Sequence, residues 1–250
     1  MKSFFPIILI SITLIFSFQS CKKESESAQA KTCKVVSEHR ITDDAGEEHT
    51  ISYIYDSDKR LIKKISSEVT NYSYNSSGQI SQIIGYYNNS NTVWIAYDVL
   101  YDNKGRISFL IDLDNNIGDT IAQFFYNDKD QVISDIRKDK LRNSTYTYDA
   151  NGNVTTITYY NTFNSTIELK TATYTYGTNK NPLHDSGIPA LNHLIWNKNN
   201  MLTSSNDPRN SSLKFQYLEF NEFGYPISYY EDCTGYDNWS YKYTIQYENN

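Results

Sequence analysis

The chain has 250 residues, which is long enough for one large domain or two small ones with a sizeable core. Aromatic residues make up 15% of it and tyrosine alone contributes 23, so it can bury enough apolar surface to exclude general disorder. The net charge is −6, and basic residues do not cluster beyond Lys22-Lys23. Because neutralising phosphates requires clustered lysine and arginine, this balance argues against nucleic acid as a partner.

The N-terminal segment, residues 1–20, has the pattern of a signal peptide. Lys2 supplies a positive charge, and an uncharged apolar run from Phe4 to Phe18 follows it. That run is shorter than the ~20 residues of a typical membrane-spanning helix, but it matches the apolar core of a signal peptide. We therefore expect residues 1–20 to direct export and to be removed.

The residues around Cys21, Phe18-Gln19-Ser20-Cys21, resemble a bacterial lipobox. The resemblance implies a lipid on the Cys21 thiol and anchoring of the mature chain to the outer membrane. The alternative is an ordinary secretory signal followed by a chance cysteine. Residues 21–34 are polar and lack aromatics, so we expect a flexible tether. Its charged start resembles the surface-export signals of Bacteroidota lipoproteins, which would place the protein on the cell surface.

Lipidation of Cys21 would leave Cys33 and Cys233 as an even pair in an oxidising compartment. A disulfide between them would close a loop of about 200 residues and stabilise the fold by roughly 5 kcal/mol through reduced chain entropy. The alternative is two separate thiols. A bridge requires the two ends of the folded region to meet.

One short motif recurs: an aromatic residue, usually followed by Asp or Asn, turn residues often ending in Gly, a polar residue and an aliphatic one. Internal repeats of this kind fix the architecture. From Tyr55 to Tyr176, successive copies begin 19, 27, 25, 22 and 28 residues apart. The copies are Tyr55–Leu61, Tyr74–Ile80, Tyr101–Ile107, Tyr126–Val132, Tyr148–Val154, a degenerate copy from Tyr176, and Phe220–Ile227.

Each copy predicts two antiparallel strands joined by a tight turn. Tyr146 and Tyr148 share one face of a strand because strand side chains alternate, and Asp149 can open a turn through side-chain-to-backbone hydrogen bonds. A lone hairpin is barely stable in water, so neighbouring units must pair edge to edge. Four glycines fall where a type I turn with a bulge requires positive φ: Gly78, Gly105, Gly152 and Gly224.

The predicted fold is all-β. About seven hairpins form a strongly twisted antiparallel meander, which curls into an open or partial barrel to bury an apolar face. We assign residues 35–250 to this single domain. A gap in the motif, at about residues 182–212, predicts an insertion, within which Pro189 to Trp196 favours a short helix.

The motif at Tyr146–Val154, Tyr-x-Tyr-Asp-x-x-Gly-x-Val, resembles the YD repeat of Rhs and teneurin proteins. From about Ile51 to Asn250, the chain resembles uncharacterised YD-repeat lipoproteins of Bacteroidota. In the large toxin-associated members the repeats form a hollow shell around cargo, but this chain is far too short to close such a shell. The resemblance therefore implies the fold and an envelope location, and does not imply encapsulation.

Motifs of catalytic or cofactor chemistry are missing from the sequence. It has no Gly-x-Ser-x-Gly, His-Glu-x-x-His, Cys-x-x-Cys or phosphate-binding glycine loop. We therefore predict a protein that is not an enzyme and that uses no cofactor and no metal.

Two weaker metal interpretations stay open. His184 and His193 share the insertion and could meet at a metal, although such histidines are usually packed or solvated. Asp112-x-Asp114-x-Asn116, followed by Asp119, resembles a calcium loop whose closing glutamate is absent; the alternative is a polar hairpin turn. The remaining carboxylates are expected to be solvated strand ends, among them Glu219, Glu222, Glu231 and Asp232.

Exposed aromatic residues are the remaining candidates for ligand contact, because tyrosine and tryptophan stack on sugars or anchor protein partners. The alternative is cross-strand ladders that only hold the sheet together. The candidate stacking residues are Trp94, Trp196, Trp239, Tyr87, Tyr160 and Tyr230.

Three functions remain open. The first is a non-catalytic envelope lipoprotein, held to the membrane through Cys21, that binds or scaffolds an unidentified protein or glycan; it predicts an exposed aromatic patch and no buried polar site. The second is a glycan-binding accessory lipoprotein, which predicts a linear row of exposed tyrosine and tryptophan. The third is a hydrolase, which needs carboxylates or histidines that converge in a cleft.

Overall fold

The computed structural model describes residues 33–42, 46–87, 90–113, 118–137, 142–163, 166–185, 197–206, 212–234 and 239–249. These residues contain sixteen β-strands and one short helix, α1 (Pro182–Asp185), between β12 and β13. The strands are β1 (Cys33–Thr42), β2 (Glu48–Tyr55), β3 (Leu61–Ile65), β4 (Glu68–Tyr74), β5 (Ile80–Tyr87), β6 (Val93–Tyr101), β7 (Ile107–Asp112), β8 (Thr120–Tyr126), β9 (Val132–Arg137), β10 (Arg142–Tyr148), β11 (Val154–Phe163), β12 (Thr166–Lys180), β13 (Asn199–Ser205), β14 (Ser212–Phe220), β15 (Pro226–Thr234) and β16 (Trp239–Asn249).

The strands form one antiparallel meander that closes into a barrel. Each strand pairs with its neighbours in sequence, and β1 pairs with β16 along a register that runs from Cys33 opposite Asn249 to Thr42 opposite Tyr241. The predicted all-β hairpin fold is confirmed, and the structure adds that the sheet closes. Closure removes the unpaired strand edges that an open meander would expose.

The motif turns lie together at one end of the barrel, which we call the turn end. In six of the seven copies the side chain of the Asp or Asn organises the turn backbone; Asp102 Oδ1 accepts from the N–H groups of Lys104 and Arg106, both at 2.9 Å. Positive φ occurs at the predicted position with angles from 59 to 90°, at Lys59, Gly78, Gly105, Asp130, Gly152 and Gly224. The motif therefore encodes its turn locally, as the sequence predicts.

Apolar side chains on the inner face of the barrel form the core. Along β12, Ala172 and Tyr174 are buried while Thr171, Thr173 and Thr175 are exposed, because strand side chains alternate between faces. One buried cluster spans β5 to β9, a second joins β1, β2, β3 and β16, and a third lies on β11 and β12. The outer face is predominantly polar along such strands.

The predicted insertion is shorter than the sequence indicates. β13 lies inside the range 182–212, yet it is a regular barrel strand that pairs with β12 and β14. The helical turn is α1, which packs against β1. The helix predicted from Pro189 to Trp196, the signal peptide and most of the tether lie outside the described residues. Within the described part of the chain, no helix is long and apolar enough to cross a bilayer.

Candidate functional site in the barrel interior

A cavity of about 260 Å³ lies inside the barrel between α1 and the strands β1, β2 and β13 to β16. Its wall is mainly aliphatic and aromatic, with a few polar groups, which is typical of small-molecule sites. The described residues that line it are Glu38, Ile51, Asn181, Pro182, Leu183, Asn197, Asn199, Asn200, Met201, Leu213, Phe215, Tyr217, Pro226, Tyr229, Glu231, Tyr243 and Ile245.

Strand register brings the central residues of this wall together. Tyr229 on β15 lies directly opposite Tyr243 on β16, and Glu38 on β1 lies directly opposite Ile245 on β16. Glu231 follows Tyr229 by two residues and therefore shares its face. Two carboxylates and two phenol rings thus reach one cavity from three adjacent strands.

Aromatic rings continue away from the cavity along the inner face of β16. Trp239 and Tyr241 have ring centroids 4.4 Å apart, and Tyr241 and Tyr243 are 6.3 Å apart. Tyr243 then stacks on Tyr229 at 4.6 Å with an angle of 6° between the planes, and Tyr229 lies 5.4 Å from Tyr217. We call these five residues the aromatic row. Such ring contacts add about 0.5–1.5 kcal/mol each beyond burial.

The two carboxyl groups of the cavity have raised pKa values. Burial raises the pKa of Glu38, against the lowering effects of a hydrogen bond from the Tyr53 hydroxyl at 2.7 Å and of the Lys64 charge. Burial likewise raises the pKa of Glu231, and the charge of Glu38 raises it further. Both groups border the cavity but are otherwise surrounded by protein, so their charged forms are poorly solvated.

Arg40 is the guanidinium whose charge acts on Glu231. Its charge lowers the pKa of Glu231, as does a hydrogen bond from Tyr243. The guanidinium stacks on the ring of Tyr241 at 4.4 Å, and its Nε has no hydrogen-bond partner in the described part of the chain. Arg40 is held against the aromatic row and does not line the cavity.

Asparagines line the cavity at the turn end. Asn181 Nδ2 donates to the Asn197 carbonyl at 2.8 Å, and Asn197 Oδ1 accepts from the Val154 N–H at 2.7 Å. These bonds fix α1 to the barrel. Asn200 is only 3% exposed, and its Nδ2 has no hydrogen-bond partner among the described residues. A buried donor left without a partner is destabilising, so an acceptor supplied from the cavity would be favourable.

A second cluster of polar side chains lies inside the barrel on β9 and β10. Arg137 Nη2 lies 3.0 Å from Asp135 Oδ2, and the Tyr146 hydroxyl donates to the same carboxylate at 3.4 Å. Asp135 is 1% exposed. None of these residues borders the cavity described above.

The candidate stacking aromatics do not form one exposed patch. Trp94 and Tyr87 are 38% and 52% exposed, and the Trp94 indole lies over Gly85. The other three described candidates are half-buried rather than exposed: Trp239, Tyr160 and Tyr230. Trp239 belongs to the inner aromatic row. Trp196 lies outside the described residues, as does Cys21.

The proposed pairing of Cys33 with Cys233 does not fit the strand register. Cys33 lies opposite Asn249 and Cys233 lies opposite Trp239, so the two cysteines flank opposite ends of β16. At ~3.3 Å per residue that separates them by about 33 Å along the strand. A disulfide needs Cα atoms roughly 4.4–6.8 Å apart, so the structure does not bring these cysteines together.

The metal interpretations gain no support from the geometry. His184 lies exposed on α1, and His193 lies outside the described residues. Asp112 is buried at the end of β7, whereas Asp114 and Asn116 fall in an undescribed segment. Among the described residues, no three metal-binding side chains cluster together.

The sequence missed both acids of the cavity. Glu231 was expected to be a solvated strand end, but it faces inward, while Glu219 and Glu222 are exposed as expected. The available signal was the alternation Tyr229-x-Glu231 on β15 beside Tyr241-x-Tyr243 on β16, which gives both strands an aromatic inner face. The expectation that no buried polar site exists is therefore wrong.

Comparison with known proteins gives fold-level likenesses of low similarity. No family model matches the chain, and no curated protein matches it. A crystal structure of TcdB2-TccC3-Cdc42 has a TM-score of 0.36 and 14% identity over 82% of this chain, which spans 13% of that one. A porin-like protein from Bacteroides vulgatus has a TM-score of 0.41 and 12% identity, and covers 86% of this chain and 99% of its own. The function of the chain is therefore inferred from the cavity.

Proposed function

We propose that this protein is a non-catalytic, lipid-anchored binding protein of the bacterial envelope, and that it holds a small ligand in the interior cavity. One observation carries the proposal: the cavity combines an apolar wall with two carboxyl groups and the buried Asn200 Nδ2, a donor without a partner among the described residues. Polar groups of this kind cost stability when they are left in an apolar interior. A ligand that satisfies them would offset that cost.

The barrel suits binding because it presents the cavity on a preorganised wall. Tyr229 and Glu231 lie on β15, which is paired on both sides, and α1 is fixed by the asparagine bonds. Side chains held this way lose little further freedom when a ligand binds, which favours affinity.

A lipid anchor would be joined to the barrel at its turn end. β1 begins at the turn end, because the hydroxyl of Tyr55, the residue before the first motif turn, donates to the Val35 carbonyl at 2.8 Å. A lipid on Cys21 would therefore hold the turn end towards the membrane. The opposite end of the barrel, where the aromatic row begins at Trp239, would point away from it.

Ligand retention tests the binding function. We would equilibrate the purified protein with a small-molecule extract of bacterial envelopes and record the retained masses by native mass spectrometry. Leu183→Trp fills the cavity, whereas Leu202→Trp places the same ring at an exposed position and serves as the control. We expect a retained mass with wild type and Leu202→Trp and none with Leu183→Trp. Retention by all three, or by none, would refute an interior binding site, and conversion of the retained molecule would refute the non-catalytic role.

Lipid anchoring is tested separately. Metabolic labelling with a fatty acid should label the wild-type protein, and Cys21→Ser should abolish the label and release the protein from membranes. Unchanged membrane association of Cys21→Ser would refute the lipid anchor.

A second candidate is a glycan-binding accessory protein, which the aromatic row favours. The row is linear as that function requires, although it lies on the inner face rather than outside. On this alternative Trp239→Ala should abolish binding on a glycan array, while Trp94→Ala, which alters a ring outside the row, should leave it intact. If both variants lose glycan binding, or if neither does, the glycan-binding function is refuted.

A further inference from the structure

The charges that border the cavity are all of one sign. The described residues that line the cavity include two acids, Glu38 and Glu231. They include no lysine, arginine or histidine. Arg40 and Lys64 act on the two acids from outside the cavity. The cavity itself therefore offers two acids and no base to whatever occupies it.

These cations do not fully compensate the acids. In both groups the effect of burial outweighs the lowering effects of the neighbouring charges and hydrogen bonds, so both pKa values stay raised. The charge of Glu38 also raises the pKa of Glu231. A positive charge placed beside both carboxylates would offset their burial and their mutual repulsion, because an opposite charge at short range favours the ionised form.

The rest of the wall has the features that recognise an organic cation. Tyr229 and Tyr243 stack beside the acids, and Phe215 and Tyr217 extend the aromatic surface. Aromatic rings attract ammonium groups through their negative faces, and the attraction is stronger in a desolvated site. Asn200 Nδ2, buried and without a partner in the described residues, can donate to an oxygen of the same ligand.

We infer that the cavity binds a small organic ammonium ion, with its cationic group near Glu38 and Glu231 and an acceptor oxygen on Asn200 Nδ2. This inference rests on the proposed function and names the ligand class for that site. A neutral sugar would find acceptors in the two carboxylates but would leave their like charges uncompensated. The predominantly apolar wall also suits the alkyl groups of an ammonium ion better than a shell of hydroxyls.

The test compares choline with the neutral alcohol in which a carbon atom replaces its nitrogen. The two molecules have nearly the same shape and share the hydroxyl group, so a difference in affinity reports the charge. Isothermal titration with wild type should show choline binding roughly tenfold or more tightly than the alcohol. Equal affinities would overturn the assignment, and so would the absence of choline binding at millimolar concentration.

Substitutions locate the binding group. Glu38→Gln and Glu231→Gln keep the size of each side chain and remove the charge, and each should weaken choline binding roughly tenfold. Glu219→Gln removes an exposed carboxylate on β14 and should leave the affinity unchanged. Asn200→Leu should weaken choline but spare tetramethylammonium, which has no oxygen. Circular dichroism confirms that each variant is folded, and unchanged affinity in both glutamate variants would refute the site.

The pH dependence supplies an independent readout. Tyr53, Lys64 and Arg40 face the pair from β2, β3 and β1, and Tyr217, Tyr229 and Tyr243 face it from β14 to β16. Burial raises the pKa of all four tyrosines, which therefore stay neutral. Choline favours the ionised acids, so its affinity should rise as the pH rises from the ordinary glutamate pKa through the raised pKa values of the two acids. An affinity that falls over this range would overturn the inference.

The outcomes separate this inference from the proposed function. Wild type could retain a neutral molecule that Leu183→Trp does not retain. In that case the binding function stands and the ammonium assignment is wrong. If no variant and no wild-type sample retains a ligand, both fall.

Discussion

The Tyr101 hydroxyl donates a hydrogen bond of 2.9 Å to the backbone carbonyl of Ile80. Tyr101 ends one strand before a motif turn, and Ile80 begins the preceding strand after the previous turn. The same relationship links each even-numbered strand to the odd-numbered strand before it. The eight bonds run from Tyr55 to Val35, Tyr74 to Leu61, Tyr101 to Ile80, Tyr126 to Ile107, Tyr148 to Val132, Tyr176 to Val154, Tyr217 to Met201 and Tyr247 to Pro226.

These bonds form a continuous ring around the turn end. They explain why six of the seven motif copies begin with tyrosine, since phenylalanine would fill the same space without the donor. The copy at Phe220 lacks this hydroxyl, and Tyr217 on the same strand donates the bond instead. Arginine reinforces the ring where it follows the turn: Arg106 stacks on Tyr126 at 4.4 Å and lies 2.7 Å from Asp130 in the next turn. Each repeat is therefore tied to the next by polar contacts as well as by strand pairing.

Removing one bond of the ring should destabilise the barrel measurably. Tyr101→Phe leaves the Ile80 carbonyl without this donor, and we expect a loss of about 1–2 kcal/mol in the free energy of unfolding. Urea denaturation followed by circular dichroism measures the change. Tyr87→Phe, at a 52% exposed position, is the control and should change stability by less than about 0.5 kcal/mol. Equal stability of Tyr101→Phe and wild type would show that the ring bonds contribute nothing.

Gly85 is required by the tryptophan that covers it. A Cβ at this position would lie 2.5 Å from Trp94 Nε1 and 2.8 Å from Ile95 Cγ1, closer than van der Waals contact allows. Gly85→Ala should therefore cost about 1–3 kcal/mol in unfolding free energy and shift the tryptophan fluorescence to the red as the indole is displaced. Gly177→Ala is the matched control, since its nearest neighbour would be Leu202 Cδ2 at 3.5 Å. A Gly85→Ala variant as stable as this control would contradict the close packing.

The acid pair makes stability depend on pH in an unusual direction. Burial raises the pKa of Glu38 above its unfolded value, so the folded state binds this proton more tightly than the unfolded state does. The resulting stabilisation is present below the ordinary glutamate pKa and is lost as pH rises through the raised pKa. Glu38→Gln should thus increase the free energy of unfolding at about pH 7 and leave it nearly unchanged at about pH 4. A decrease at neutral pH would show that ionised Glu38 is stabilising instead.

The register predicts that Cys33 and Cys233 do not bridge each other. Alkylation of the unfolded, unreduced protein followed by peptide mass spectrometry should show no peptide that joins these two cysteines. Because they flank opposite ends of β16, a joined peptide would require a rearrangement of that strand. The reduced protein provides the reference peptides.

The sequence by itself determined the repeating unit. The bend is encoded within five residues, because Asp102 Oδ1 bonds to N–H groups two and four residues later and Gly105 supplies the positive φ. Alternating side chains then define the two strands, and a hairpin that cannot bury its apolar face alone requires neighbours. The all-β meander follows from these local interactions.

Only the tertiary structure decided that the meander closes and what closure creates. The Ser37 hydroxyl reaches Gln246 across the β1–β16 pair at 3.0 Å, over a sequence separation of 209 residues. No local pattern encodes a contact at that distance, because it depends on the twist accumulated by every strand between. Glu38 and Glu231 share a cavity for the same reason: strand closure brings β1 beside β16 and, through it, near β15.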